Sequence, residues 1–345
     1  MHYLVTGHTG FKGAWLALML TQRGHTVSGL ALEPVPGSLF ERARLSEILF
    51  RDLRVDIRDG EATEQAITSL EPDVVLHLAA QPLVRESYRD PRYTYETNSL
   101  GTLSVLQAVE HTPAVKAQVI VTTDKVYRNV NQIWGYRESD PLGGVDPYST
   151  SKAAADLITQ SWIAGSGCRV PTAIARAGNV IGGGDVCAER LMVDLVAAFS
   201  TGQAVRLRYP EAVRPWQHVL DCLNGYLDLT DLLLSGASSG EAFNFGPDTG
   251  SFVSVGAVAA AVASLWGTDS VVEVDEGAHV HEATLLSLDS RKAELELGWR
   301  NRLQFHDALA WTVAWEKQVR AGQDARAVSI AQIDEFMRIP EATTD

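Results

Sequence analysis

Short β-branched runs alternate with helix-period stretches through the first half of the chain, and this alternation restricts the possible folds more than any other property. Tyr3–Thr6 reads as a strand, and Phe11–Arg23 as a helix that buries Trp15, Leu16, Met19 and Leu20. Thr26–Leu32 and Arg54–Ile57 read as strands, Glu61–Leu70 as a helix, Val74–Leu78 as a strand and Thr94–Val109 as a helix. Gln118–Thr122 is the next strand, followed by a helix from Tyr148 to about Ile163 and a strand at Thr172–Arg176. The strands are almost continuously apolar, which predicts a parallel sheet with helices on both faces.

Beyond Gly178 the pattern loosens. A Gly182-Gly183-Gly184 loop precedes a helix near Leu191–Ser200, a strand at Ala242–Phe245, and helices near Val255–Trp266 and Phe305–Val319. The expected architecture is α/β. Residues 1–178 form a Rossmann-type doubly wound parallel sheet, to which part of the later chain returns. Residues 179–330 mostly build a smaller, discontinuous α/β substrate-binding lobe, and 331–345 form a tail. A chain of 345 residues that is 46% hydrophobic can bury the core this requires.

A net charge of −14 argues against general nucleic-acid binding, which relies on basic patches. It does not exclude an anionic small substrate held by local arginines. The first strand begins near Tyr3, which leaves no room for a signal peptide. No apolar run has the length of a membrane span. Cys168, Cys187 and Cys222 are scattered and odd in number, matching neither a disulfide framework nor a metal-ligand set. The expectation is a reduced, cytoplasmic protein without a metal.

Gly7-His8-Thr9-Gly10-Phe11-Lys12-Gly13 follows the first strand and opens the first helix. Glycines there let backbone approach a pyrophosphate, and the helix N-terminus offers free N–H groups. G-x-x-G-x-x-G is weak alone, but the strand–turn–helix context makes Gly7, Thr9, Gly10, Phe11, Lys12 and Gly13 candidate dinucleotide contacts. Glu33 lies where an acid would bind the adenosine ribose, although with Pro34 beside it a solvated loop residue is an equal reading. No arginine follows that strand directly to hold a 2′-phosphate, so NAD is expected rather than NADP. Leu78, Ala79 and Ala80 close the fourth strand, where small residues would let the cofactor lie flat.

Tyr148 and Lys152 stand one helical turn apart and share a face. An ammonium beside a phenol is expected to draw the phenol down from about 10 toward the working range. Thr122-Thr123-Asp124-Lys125 ends the fifth strand, where parallel sheets bind their ligands. Thr123 would hydrogen-bond a substrate hydroxyl, and Asp124 is a candidate general acid with Lys125 on the same face. The bland alternative for Asp124 and Lys125 is a solvated ion pair. Simple alcohol oxidation needs neither; an elimination would need both.

Taken together, these segments resemble the extended short-chain dehydrogenase/reductase family of the nucleotide-sugar type, and within it the CDP-glucose 4,6-dehydratase branch. The likeness is carried by GHTGFKGAWL (Gly7–Leu16), HLAAQPLVRESY (His77–Tyr88), TTDKVY (Thr122–Tyr127), and WGYRESDPLGGVDPYSTSK (Trp134–Lys152). It continues through RAGNVIGGGD (Arg176–Asp185), RPWQHVLD (Arg214–Asp221), FNFGP (Phe243–Pro247) and LDSRKAELELGW (Leu288–Trp299). The Asp124-Lys125 pair, where related dTDP-glucose dehydratases carry Asp-Glu, marks the branch.

The resemblance implies NAD as cofactor, with Asp56 and Ile57 meeting the adenine and Lys152 reaching the nicotinamide ribose. It implies a nucleotide-diphosphate hexose as substrate, with Asn179, Arg190 and Arg214 on the diphosphate and Gln81 and Ser87 among the substrate contacts. The implied reaction oxidises C4, eliminates water across C5 and C6, and returns hydride to C6, giving a 4-keto-6-deoxy sugar. A 4-epimerase or a catalytically silent cofactor-binding protein are the alternatives. A homodimer built from the helices near Thr94–Val109 and Tyr148–Ile163 is also implied. His218, with no acid–base partner in the sequence, reads as a packing residue. Val186-Cys187 and the Leu191–Asp194 stretch depart from the family pattern near the expected base pocket.

Overall fold

Seven strands form one all-parallel sheet: β1 (His2–Thr6), β2 (Thr26–Ala31), β3 (Arg51–Arg54), β4 (Val74–His77), β5 (Ala117–Val121), β6 (Thr172–Ala177) and a late strand, Ala242–Phe245. The computed structural model describes residues 1–165, 168–236, 240–248, 251–267, 272–275 and 286–340. Between β6 and the late strand lie β7 (Asn179–Ile181), β8 (Val205–Leu207) and β9 (Val213–His218), so the late strand is β10; β11 (Phe252–Ser254) and β12 (Val272–Val274) follow. The order across the sheet is β10-β6-β5-β4-β1-β2-β3. Chain direction therefore reverses its progress between β1 and β4, and ligands bind at the carboxyl edge of such a switch point.

Apart from His2 at the start of β1, the central strands are buried throughout, as HYLVT, VVLH and AQVIV require of a sheet covered on both faces. One face packs Trp15, Leu16, Met19, Leu223, Tyr226 and Trp315. The other packs Leu4, Ile57, Ile67, Val75, Val105 and Val109. Strands β11-β9-β7 and β12-β8 form two small sheets after Gly178. They surround a separate core that includes Leu195, Phe199, Trp216, Val258, Phe305 and Leu309.

Three expectations change. Strand β3 covers Arg51–Arg54 rather than Arg54–Ile57, because the Asp56 carboxylate accepts from the Arg58 N–H at 3.0 Å and closes a turn there. Asp56 and Ile57 therefore lie in a turn past the strand. The helix expected from Thr94 starts at Pro91, where Asp90 caps the Tyr93 N–H. It runs through a π-helical turn, Glu96–Leu100, into Gly101–Glu110.

Residues 331–340 differ from the tail expected of them. A helix, Ala325–Arg338, is capped by Asp324 and buries Val328, Ile333 and Phe336 against the main core. The end of that expected tail, 341–345, lies outside the described residues.

Candidate active site

The turn after β1 is fixed by close approaches. Gly7 has φ +75°, and a Cβ there would come within 2.7 Å of the Ala79 nitrogen. A Cβ on Gly13 would come within 2.2 Å of the Gly7 carbonyl oxygen. No other residue type fits either place without backbone movement. Exposed Gly10 caps helix Phe11–Gln22 without a side-chain bond, and the first helical turn carries no acid. The helix thus presents its N–H groups and positive dipole end to anything anionic placed above Gly10. Thr9 donates to the Leu32 carbonyl at 3.1 Å and ties the turn to the end of β2.

Sequence reasoning missed the stitch beneath this turn. The Thr6 hydroxyl meets His77 Nδ1 at 2.7 Å and accepts from the N–H groups of Leu78 and Ala79, each at 3.2 Å. His77 Nε2 lies 3.1 Å from Thr102. Burial pushes His77 down to about 3, so it is a neutral strut. The half-buried Leu78, Ala79 and Ala80 are thereby held along the edge of the crevice.

At the far end, Ile57 packs against Gly101, and the Asp56 carboxylate is held below its usual range, chiefly by Arg58. Exposed Glu33 pairs with Arg54 at 3.1 Å, and Arg54 also binds Asp52. The crevice has the parts a dinucleotide needs: a bare helix end for the pyrophosphate, small residues along one wall and an acid at the adenosine end. These residues fit NAD.

Asp124 and Tyr148 come together at the carboxyl edge of β5. Asp146 caps helix Pro147–Ala164, accepting from the Ser149 N–H at 2.8 Å, and so sets Tyr148 and Lys152 in the first two turns. The Thr123 hydroxyl donates to Asp124 Oδ1 at 2.9 Å and acts on the Tyr148 phenol, opposing its rise. Lys125 Nζ stands 5.9 Å from the centre of the Tyr148 ring. Lys152 Nζ donates to the Val121 carbonyl at 2.9 Å.

The electrostatics follow from burial. Asp124 is 1% exposed, and desolvation raises its carboxyl above the usual range, against the opposing pull of Lys125. Its Oδ2 has no hydrogen-bond partner, which suits a carboxyl group that carries its proton. Burial lowers Lys152 to about 7, with Lys12 as its strongest charged neighbour. The Tyr148 phenol is pushed up to about 12 by burial, with Thr123 opposing. The acidified phenol expected from its lysine neighbour is therefore not found in the protein alone, where desolvation by burial dominates. Asp156, one turn beyond Lys152, also acts on it, and is locked to buried Arg176 at 2.8 Å. Nothing short of the fold exposed that pairing.

The candidate substrate residues divide. Arg190 binds Asp185 at 2.8 Å and acts on Tyr148; buried Arg214, on β9, acts on Asp124. Asn179 opens β7 directly after Gly178, where a Cβ would stand 3.1 Å from Asp124 Oδ2. These three border the Thr123–Asp124–Tyr148 cluster. Gln81 and Ser87 do not turn their side chains to it. Gln81 donates to Thr94 at 2.8 Å and accepts from the Leu83 N–H, while Ser87 donates to the Val84 carbonyl at 2.6 Å. Both side chains hold their own loop together instead. His218 accepts from the Leu220 N–H and lies edge-on to Trp15 and Trp311. Among the described residues no three His, Cys, Asp or Glu side chains are grouped to hold a metal, and no helix is long and apolar enough to cross a membrane.

A profile described as GDP-mannose 4,6 dehydratase matches residues 4–312. The chain is 42% identical over 342 residues to a CDP-glucose 4,6-dehydratase of Salmonella typhimurium, covering 96% of this chain and 95% of that one. Its structure resembles DesIV, a dTDP-glucose 4,6-dehydratase of Streptomyces venezuelae solved with NAD bound, with TM-score 0.79 and 28% identity over 94% of this chain and all of that one. A dTDP-glucose 4,6-dehydratase of Bacillus anthracis in complex with NAD gives TM-score 0.79 and 25% identity over 92% of this chain and 97% of that one.

Proposed function

The chain belongs to the GDP-mannose 4,6 dehydratase family, and from that premise we propose that it is an NAD-dependent lyase converting CDP-D-glucose to its 4-keto-6-deoxy product. The observation that carries this reading is the buried Thr123–Asp124–Tyr148 cluster with Lys125 over the phenol ring. It sets a proton acceptor for an alcohol and a proton donor for a leaving hydroxyl in one pocket. The 42% identity to a protein named for CDP-glucose supports the choice of nucleotide.

Tyr148 accepts the proton of the sugar 4-hydroxyl, and Thr123 holds that oxygen as the ketone forms. NAD held in the crevice would supply the hydride acceptor for C4 and the hydride donor for C6, with no net change in the cofactor. The new ketone acidifies C5–H, and Lys125 removes that proton. Asp124 delivers its proton to the C6 hydroxyl, which departs as water. A proton then returns to C5, so the net change is loss of one water. Arg190, Arg214 and Asn179 hold the diphosphate, with guanidinium forks suited to phosphate oxygens. Gly7, Thr9, Gly10, Phe11, Lys12 and Gly13 cradle the cofactor pyrophosphate, and Asp56 and Ile57 meet its adenine.

The same reading includes a homodimer in a cytoplasmic setting. Helices Gly101–Glu110 and Pro147–Ala164 leave an apolar groove lined by Leu103, Leu157, Ile158 and Trp162. Leu157 is 53% exposed and nearby Leu100 55%. A second copy laid across these helices would bury both in a four-helix bundle. The three cysteines are free, in keeping with a reducing compartment.

The test is turnover with CDP-, dTDP-, GDP- and UDP-hexoses in deuterated water. CDP-glucose should lose one water and take up deuterium at C5. A product of unchanged mass and inverted C4 would overturn the dehydratase reading in favour of an epimerase. Binding of NAD without turnover of any sugar would mark a silent cofactor-binding protein.

A further inference from the structure

Gly178 is the single residue between β6, which belongs to the seven-stranded sheet, and β7, which belongs to the small β11-β9-β7 sheet. Parallel pairing of β7 with β9 sets Asn179 opposite Trp216, so Gly178 and Pro215, one residue earlier on each strand, are neighbours as well. A Cβ on Gly178 would stand 3.0 Å from Pro215 Cγ and 3.1 Å from Asp124 Oδ2. The backbone at Gly178 is not left-handed, so conformation alone does not call for glycine there. What a side chain would strike does.

The two neighbours differ in how easily they yield. Pro215 is buried, its ring has no rotamer to change, and its strand is paired on the other side too, with Pro215 opposite Phe252 of β11. The Asp124 carboxyl is the free end of a side chain. Its Oδ1 accepts from the Thr123 hydroxyl at 2.9 Å, while Oδ2 has no hydrogen-bond partner. A methyl group at position 178 would therefore turn the carboxyl rather than move the proline.

We infer that Gly178 is a positioning residue that commits the oxidised sugar to elimination: its missing side chain lets the Asp124 carboxyl lie where it can protonate the C6 hydroxyl. This role presupposes the dehydration proposed above. In that step the C5–H bond breaks and its electron pair becomes the C5–C6 double bond. The C6–O pair leaves with the oxygen, which takes the Asp124 proton and departs as water. Nothing is oxidised or reduced. Oxidation at C4 relies on Tyr148 and Thr123, so a displaced Asp124 carboxyl spares the first stage and stalls the second. Small misplacements of a reacting group are costly in rate.

The experiment compares the wild type with G178A, P215A and G178A/P215A, each loaded with NAD and mixed rapidly with CDP-glucose. Reduced-nicotinamide absorbance reports oxidation at C4, and the mass loss of one water reports elimination. G178A should reach the reduced nicotinamide within about threefold of the wild-type rate but form product at least about tenfold more slowly. P215A removes the ring atom nearest the added methyl. The double variant should then form product within about threefold of P215A alone. Equal slowing of both stages in G178A, or product at the wild-type rate, would overturn the inference. So would a G178A that fails to fold, which would make the glycine a packing residue, or a double variant as slow relative to P215A as G178A is to the wild type. A wild type that neither reduces NAD nor releases water from any nucleotide sugar is a different result, because it removes the dehydratase reading itself.

Discussion

In the proposed mechanism, Asp124 is the residue on which dehydration, as distinct from oxidation, depends. Its carboxyl is buried, raised and left with one oxygen unpartnered beside Gly178 and Pro215. A raised carboxyl keeps its proton above the usual carboxylate range, so the acid form is lost only as pH rises through that raised value. Asp124→Asn keeps the shape and removes the acid. Formation of the 4-keto-6-deoxy product should fall by at least about 100-fold. Oxidation at C4 should survive, seen as reduced-nicotinamide absorbance that appears on adding CDP-glucose and does not decay. Wild-type rates of product formation in D124N would show that the proton comes from elsewhere. The residue types at 123, 124, 148 and 152 were legible because their spacing fixes which side chains share a strand end or a helix face. The charge state of Tyr148 was not, because it is set by desolvation from elements far away in the sequence. Gln81 is a related case: its amide is consumed by Thr94 and Leu83, contacts that no local pattern encodes.

Among the elements, the turn between β1 and helix Phe11–Gln22 tolerates least. A methyl group on Gly13 would meet the Gly7 carbonyl at 2.2 Å, whereas at Gly10 the nearest atom is that same oxygen at 3.3 Å. Gly13→Ala should therefore lower stability by roughly 2 kcal/mol or more and weaken NAD binding with it, while Gly10→Ala weakens binding with little loss of stability. Thermal melts beside NAD titrations separate the two; equal melting losses would refute the distinction. Strands were easy to read from sequence because VVLH and AQVIV admit no other buried element of that length. The Ala325–Arg338 helix was not, since its burial depends on partners distant in sequence, helix Phe11–Gln22 and the segments around Ala43 and Glu47. Arg326 donates to the Ala43 carbonyl, and Gln22 donates to Asp334 at 2.8 Å. Phe336, fully buried beneath Arg302, is the anchor. Phe336→Ala should cost about 3–5 kcal/mol in denaturant unfolding. A loss under about 1 kcal/mol would mean that this helix is dispensable to the fold.

At the scale of the whole molecule, assembly and proton linkage can be tested apart from the chemistry. Leu157→Arg places a charge in the middle of the apolar groove. It should halve the mass seen by sedimentation while NAD binding persists; a dimer that survives would move the interface elsewhere. Stability against pH follows from groups the fold keeps uncharged. His77 and His218 are each pushed down to about 3 by burial, against roughly 6.5 in the unfolded chain. The unfolded state then binds more protons between those values. Each histidine thus contributes stability that is complete above about 6.5 and is lost progressively as pH falls toward the folded value of about 3. Asp221 works the other way. Burial raises it to about 7, so its contribution is present at low pH and is lost as pH rises toward that value. Between about pH 4 and 6.5 it cancels one of the two histidines. His218→Gln removes one titration from this sum without touching the Tyr148 cluster, since His218 faces Trp15, Trp311 and the Leu220 N–H. The variant will be less stable at every pH, but the slope decides. In urea unfolding between about pH 4 and 6.5, the gain in stability with rising pH should fall by about 1.4 kcal/mol per pH unit relative to the wild type. Parallel curves would require His218 to carry its proton in the folded state, which a ring sealed between two indoles without an acid cannot sustain.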